Sequence, residues 1–236
     1  MRLVHASPAE LVRDAASRLI ERIVALQTEG RIPQICLTGG TIAAEVHRAV
    51  AAHPAASDVD WGRVEIWWGD ERFVAADSPD RNALGARRDL LDPVGATRVH
   101  EIPGVDQVAT AEEAAAAYSA TMREHGAGSF DVLMLGIGPD GHVASLFPGH
   151  PAPGAERAIA VAVHDSPKPP PDRVTLTYEA LNRSEAVWFL ASGAAKADAV
   201  AAALAPEGSV EVTPARGIHG LGEVLWFLDE DAASAL

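Results

Sequence analysis

The chain has almost no thiol chemistry to offer, because Cys36 is its only cysteine among 236 residues. One thiol rules out an intrachain disulfide and leaves no thiolate cluster for a structural metal. Long apolar runs are missing as well. No uncharged stretch approaches the roughly 20 residues needed to span a bilayer. The opening MRLVHASPAELVRDAASRL carries charges throughout, where a secretory signal needs an apolar centre. A cytoplasmic protein without membrane contact is expected. Positive charge is scarce too: 19 Lys and Arg stand against 33 Asp and Glu, a formal net charge of −14. That balance repels nucleic acid and anionic membrane surfaces at long range, so no nucleic-acid partner is expected. It also means that any local gathering of cations and bare backbone N–H groups carries information, although net charge alone can be a solubility device. Internal repeats and low-complexity linkers are absent. The proline-rich stretch 166–171 is too short to divide domains and reads as a stiff loop. A single α/β domain over residues 1–236 is expected, large enough to bury a core without covalent staples.

Helices and strands alternate in the residues that are present. Ser7-Pro8-Ala9-Glu10 forms a capping box, with Ser7 as N-cap and Pro8 at the first helical position. Leu11, Ala15, Leu19, Ile23 and Leu26 then recur at helical spacing until Gly30. The spacing predicts further helices over 41–52, from about 79 to 91, from the capping box at Thr110 to about 125, and over 194–204. Apolar runs predict strands at 32–37, 64–68, 130–135, 158–163, 174–177, 186–191 and 224–228. Strands alternating with long helices imply a mostly parallel central sheet with helices on both faces, a Rossmann-like three-layer sandwich.

In such sheets ligands bind beyond the carboxyl ends of the strands, and three strands here end in glycine-rich or polar loops. The first loop is Leu37-Thr38-Gly39-Gly40-Thr41. Two glycines let the backbone approach a ligand, and the following helix N-terminus suits a phosphate. By itself the loop reads equally as a tight turn with Thr41 as N-cap. It is not a Walker loop, and it lacks the third glycine of a dinucleotide fingerprint. The second loop is Trp68-Gly69-Asp70-Glu71-Arg72. Its charges suit a solvated edge, yet in an extended segment Asp70 and Arg72 project to one side. Arg72 there offers planar paired donors to an oxyanion.

The third loop, 135–149, opening Leu135-Gly136-Ile137-Gly138-Pro139-Asp140-Gly141-His142, is the most specific. Gly136, Gly138 and Gly141 free the backbone, Pro139 stiffens the turn, and His142 closes it. A histidine, with an unperturbed pKa of about 6.5, suits proton transfer near neutrality. Asp140 stands two residues away. His5, His47, His53 and His219 lack comparable surroundings and read as structural. Lys168 and Arg173 flank the proline run, which would hold them rigidly enough to neutralise a phosphate. Lys196 follows Ser192-Gly193 as a further cation.

These segments together resemble the 6-phosphogluconolactonase family, within the glucosamine-6-phosphate isomerase/deaminase-like superfamily. The resemblance also covers 167–173 with Thr175-Leu176-Thr177, Leu181-Asn182, Gly193 with Lys196, and Trp226-Phe227-Leu228-Asp229, so it spans nearly the whole chain. One departure is Thr-Gly-Gly-Thr-Ile in the first loop, where many relatives have Ser-Gly-Gly-Ser followed by Thr or Pro.

The resemblance implies hydrolysis of 6-phospho-D-glucono-1,5-lactone to 6-phosphogluconate, with no cofactor and no metal. It implies His142 as general base and Asp70 and Arg72 as active-site residues. Thr38, Gly39, Gly40, Thr41, Gly138, Asp140, Gly141, Lys168 and Arg173 would form the substrate and phosphate site. Arg72 or the backbone N–H groups of 136–141 would face the oxyanion, and either Asp70 or Asp140 would orient the imidazole. A monomer or weak homo-oligomer is expected. Two alternatives remain: a glucosamine-6-phosphate deaminase-like isomerase, and a sugar-phosphate-binding domain without catalysis. The first usually continues from the histidine into Asn-Glu-Pro, whereas this chain continues Val143-Ala144-Ser145-Leu146-Phe147-Pro148, with no carboxylate.

Overall fold

The computed structural model describes residues 1–152 and 158–236. Strand β1 (Arg2–His5) leads into helix α1 (Pro8–Thr28). Ser7 caps α1 by accepting the Glu10 N–H, and the Glu10 carboxylate accepts the Ala6 N–H. Then come β2 (Gln34–Leu37), α2 (Thr41–Ala51) and β3 (Glu65–Trp68), followed after one residue by β4 (Asp70–Arg72). The next helical segment starts as α3 (Asn82–Ala86), widens into a π turn (Arg87–Leu91) and ends as α4 (Asp92–Val94). Strand β5 (Arg98–Val99), α5 (Ala111–His125) and β6 (Val132–Gly136) follow. Beyond them lie β7 (Ala160–Val163), β8 (Arg173–Leu176), α6 (Tyr178–Leu181), β9 (Ala186–Ala191), α7 (Ala197–Leu204) and β10 (Glu223–Asp229).

Seven strands form one sheet in the order β1-β10-β9-β6-β2-β3-β5, and every neighbouring pair is parallel. The chain moves towards β5 through α1, α2 and the α3–α4 segment, and back towards β10 through α5 and α7. Right-handed crossovers put the two groups on opposite faces, which gives the expected three-layer sandwich. Because β2, β6 and β9 are covered on both sides, they read as continuous apolar runs; Ile35, Leu133 and Phe189 are each about 1% exposed or less.

A second, antiparallel sheet of order β4-β8-β7 was not legible in the sequence. The chain passes into it directly from β3. Tyr118 on α5 secures the transfer, because its hydroxyl accepts the Trp68 N–H (2.9 Å) and donates to Trp68 O (3.0 Å). The segment 70–72, expected as a loop, is thus a strand. The helix expected near 79 begins at Asn82. Its first N–H groups, from Asn82 and Ala83, are taken by the distant Glu71 carboxylate at 2.8 Å each.

Candidate active site

Strands β2 and β6 are neighbours, and the chain leaves them towards opposite ends of the sheet. A crevice opens at such a switch point. Here it holds a cavity of ≈ 580 Å³, within the range for small-molecule sites. All three expected loops line it. Thr38, Gly39, Gly40 and Thr41 follow β2, Asp70 and Arg72 come from β4, Gly138 and His142 from the loop after β6, Lys168 from the loop before β8 and Arg173 from the first position of β8. Asp140 and Gly141 are not on the cavity wall.

Helix α2 presents its N-terminus to this cavity. Gly40 is its N-cap, with φ +98°, a backbone conformation that glycine adopts readily, and no side chain caps the first turn. Helices α1 and α5, in contrast, are capped by Ser7 and Thr110. Thr41 is therefore the first helical residue rather than the cap. The helix offers first-turn N–H groups and the positive end of its dipole to a ligand. Gly39 allows the next loop to close against this one, since a Cβ there would meet Asn82 Oδ1 at 1.9 Å. Asn82 Nδ2 in turn donates to Asp70 O (3.1 Å).

Asp70 and Arg72 share one side of β4, as their spacing predicted. Asp70 is buried, and its Oδ2 accepts a hydrogen bond from Ser145 Oγ at 2.6 Å. Ser145 N in turn donates to Thr175 Oγ1 (3.2 Å), which ties β4, β8 and the third loop together. Arg72 Nη1 donates to Asp80 O, and its buried Nε has no partner among the described residues. Glu71, on the opposite side of the strand, serves the scaffold.

In the third loop His142 folds back over Gly138, where a Cβ would stand 2.0 Å from the imidazole Nδ1. Asp140 Oδ1 lies 2.5 Å from that Nδ1. An ionised carboxylate only accepts, so Nδ1 carries the proton and Nε2 keeps its lone pair. Asp70, the other candidate for orienting the ring, is engaged by Ser145 instead. Burial pushes the His142 pKa below its ordinary value, outweighing the upward pull of Asp140. Burial also works to raise the Asp140 carboxyl, but the His142 hydrogen bond, His142 charge and Lys168 outweigh it and hold the group below the usual range. The expectation that backbone N–H groups of this loop face an oxyanion needs correcting at two positions. Gly138 N donates to His142 O and Gly141 N to Gly138 O, both at 2.9 Å, so the turn itself uses them.

The chain's only two lysines, Lys168 and Lys196, both line the cavity. Lys196 Nζ donates to Ile137 O (2.7 Å), and burial, then the charge of Lys168, push its pKa down. Sequence reasoning ranked Lys196 behind Lys168 and Arg173. Its signal was the Ser192-Gly193 strand end, which repeats the hydroxyl–glycine pattern of the first loop. The guanidinium of Arg173 faces the proline loop, with Nη2 donating to Lys168 O (2.9 Å) and Pro169 O (3.3 Å) and Nε to Pro170 O (3.2 Å).

Fold and site together define an α/β protein with a cavity at the carboxyl ends of a parallel sheet, lined by an uncapped helix N-terminus and by a histidine hydrogen-bonded to a carboxylate. Comparison with known proteins narrows the class. The profile of the family described as glucosamine-6-phosphate isomerases/6-phosphogluconolactonase matches residues 6–226, and the chain belongs to that family. It is 43% identical to a 6-phosphogluconolactonase of Streptomyces coelicolor, over 99% of this chain and 94% of the relative. It is also 43% identical to the Mycobacterium tuberculosis 6-phosphogluconolactonase, over 96% and 94% of the two chains. The solved 6-phosphogluconolactonase of Trypanosoma brucei superposes with a TM-score of 0.88 at 29% identity, covering 100% of this chain and 98% of that one. A monomeric glucosamine-6-phosphate deaminase, at 19% identity and a TM-score of 0.79, shares the fold.

Proposed function

We propose that the protein is a lactone hydrolase that converts 6-phospho-D-glucono-1,5-lactone to 6-phosphogluconate in the oxidative pentose phosphate pathway. One observation carries the reading: a single cavity is lined by both the uncapped α2 N-terminus and His142. The first suits a phosphate, and the second suits activation of water at the other end of a sugar. High identity to relatives of that activity along almost the whole chain supports it.

In this reading the C6 phosphate rests on the N–H groups at the start of α2, in the field of the cavity's cations. The lactone carbonyl then faces His142. Neutral His142 takes a proton from water at Nε2 as the water oxygen attacks C1, and the carbonyl electron pair moves onto oxygen. Cationic side chains stabilise that oxyanion. Collapse of the tetrahedral intermediate breaks the bond from C1 to the ring oxygen, which receives the proton from the imidazolium. A lactone is already an activated ester, so no covalent enzyme intermediate is needed. The same reading has the enzyme acting in the cytoplasm as a monomer or weak homo-oligomer. Among the described residues no helix is long and apolar enough to cross a membrane.

The test is lactone hydrolysis corrected for the spontaneous background, on wild type and His142→Ala. Replacement should lower turnover by roughly 10² to 10⁴-fold. Activity of the wild type should fall as pH drops through the lowered His142 pKa, because the protonated imidazole is no base. Near-normal turnover in His142→Ala would remove His142 from the mechanism. Ammonia release from glucosamine 6-phosphate without lactone turnover would favour the isomerase branch instead.

A further inference from the structure

The cations around the cavity are not equivalent. Lys168 Nζ stands 4.0 Å from Asp140 Oδ1, the same atom that holds His142 Nδ1 at 2.5 Å. It is therefore the ammonium group beside the histidine–aspartate pair. The loop fixes the backbone from which this side chain extends. Ser166 Oγ donates to Lys168 O at 3.0 Å and accepts the Lys168 N–H at 3.3 Å. Arg173, only 4% exposed, directs Nε and Nη2 at the carbonyls of Lys168, Pro169 and Pro170. The guanidinium carbon lies 5.7 Å from the centre of the Phe147 ring, and that ring packs 4.7 Å from the imidazole of His142. A guanidinium with two of its nitrogens on three successive carbonyls braces a loop.

We propose that Lys168 serves the reacting end of the cavity, stabilising the oxyanion, and that Arg173 is a positioning residue for Lys168 rather than a phosphate ligand. The assignment deepens the hydrolase reading and rests on it for its substrate. In the step concerned, water loses a proton to His142 Nε2 while negative charge forms on the carbonyl oxygen. An ammonium at that end favours the charge and is itself unchanged. The same positive charge disfavours protonation of His142. Facing the imidazole are Asp140 from its own loop, Lys168 from the proline loop and Asp70 from β4, and both carboxylates act in the opposite sense. Arg72 and Lys196 also line the cavity.

Lys168→Met keeps the stem and removes the charge. Two measurements on the full chain separate the possibilities. The first is the His142 titration midpoint by NMR, assigned against His142→Ala, which needs no substrate. The second is kcat and KM on the phosphorylated lactone and on unphosphorylated glucono-1,5-lactone. We expect the midpoint to rise and kcat to fall roughly 10²-fold on both lactones, with the preference for the phosphorylated substrate intact. Lys168→Arg should recover part of both effects. Arg173→Met should reproduce the loss in kcat on both lactones. Should that variant not fold, Lys168→Met and Lys168→Arg still decide the central assignment. An unmoved midpoint, or a loss confined to KM for the phosphorylated lactone, overturns the proposal in favour of a phosphate contact. A wild type that hydrolyses neither lactone would defeat the hydrolase reading, whereas the midpoint would still report whether Lys168 governs His142.

Discussion

At Gly138 one absent methyl group decides where the imidazole of His142 sits, because a Cβ there would lie 2.0 Å from Nδ1 and 2.4 Å from Asp140 Oδ1. Gly138→Ala should therefore leave the fold intact and displace the histidine–aspartate pair. Turnover should drop on the order of 10²-fold, the cost of about an ångström of misplacement. Steady-state kinetics alongside an unchanged circular dichroism spectrum check this, and a fully active variant would show that the ring tolerates another pose. The contacts of this pair are local, two residues apart, which is why His142 and Asp140 could be found in the sequence. The partners of Asp70 could not, since Ser145 lies 75 residues away in the chain. The nearness of Lys168 to Asp140 likewise depends on how β8 enters the second sheet. Residue types mark candidates, and tertiary contacts show which of them meet around one cavity.

Individual elements were legible where their own residues dictate them. The capping boxes at Ser7 and Thr110 start α1 and α5 at the expected positions, and the apolar run of β9 runs over Ala186–Ala191 as expected. Elements defined by distant partners were not. Strand β1 is short and half exposed, and it exists through parallel pairing with β10 at the other end of the sequence. Strand β4 consists of Asp70, Glu71 and Arg72, and its extended form follows from antiparallel pairing with β8. The start of α3 depends on Glu71, which is 1% exposed and accepts the N–H groups of Arg72, Asn82 and Ala83. Burial raises the Glu71 pKa, while Arg81, 3.6 Å away, and these N–H groups oppose the shift. Glu71→Ala would leave Glu101, 3.7 Å away, as the remaining carboxylate beside the buried Arg81 charge and would uncap the helix. A loss of about 3 to 5 kcal/mol is expected from chemical denaturation. A loss below about 1 kcal/mol would mean that another group takes over the cap.

For the molecule as a whole, acid stability should depend on His47, which is 3% exposed on α2 with Nε2 unpartnered among the described residues. Burial lowers its pKa from 6.5 to about 4, with Asp89 opposing and Arg48 adding to the effect. Above pH 6.5 the ring is neutral whether the chain is folded or not. Between 6.5 and 4 the unfolded chain takes up a proton that the folded one refuses, so stability falls as pH falls through that window. At roughly 1.4 kcal/mol per pH unit the loss is on the order of 3 kcal/mol. His47→Leu should flatten this stretch of the stability curve in urea titrations at pH 7 and pH 4.5. An equally steep curve would assign the acid sensitivity to other groups.

The pairing of both lysines with one cavity has a further consequence for covalent chemistry. Apart from the terminal amine, which is hydrogen-bonded to Val224 O, the surface outside that cavity carries no primary amine. Among side chains, acylating dyes, aldehyde cross-linkers and amine-coupled supports therefore have only Lys168 and Lys196 to modify, both on the cavity wall. For this protein, labelling a lysine means labelling the pocket wall.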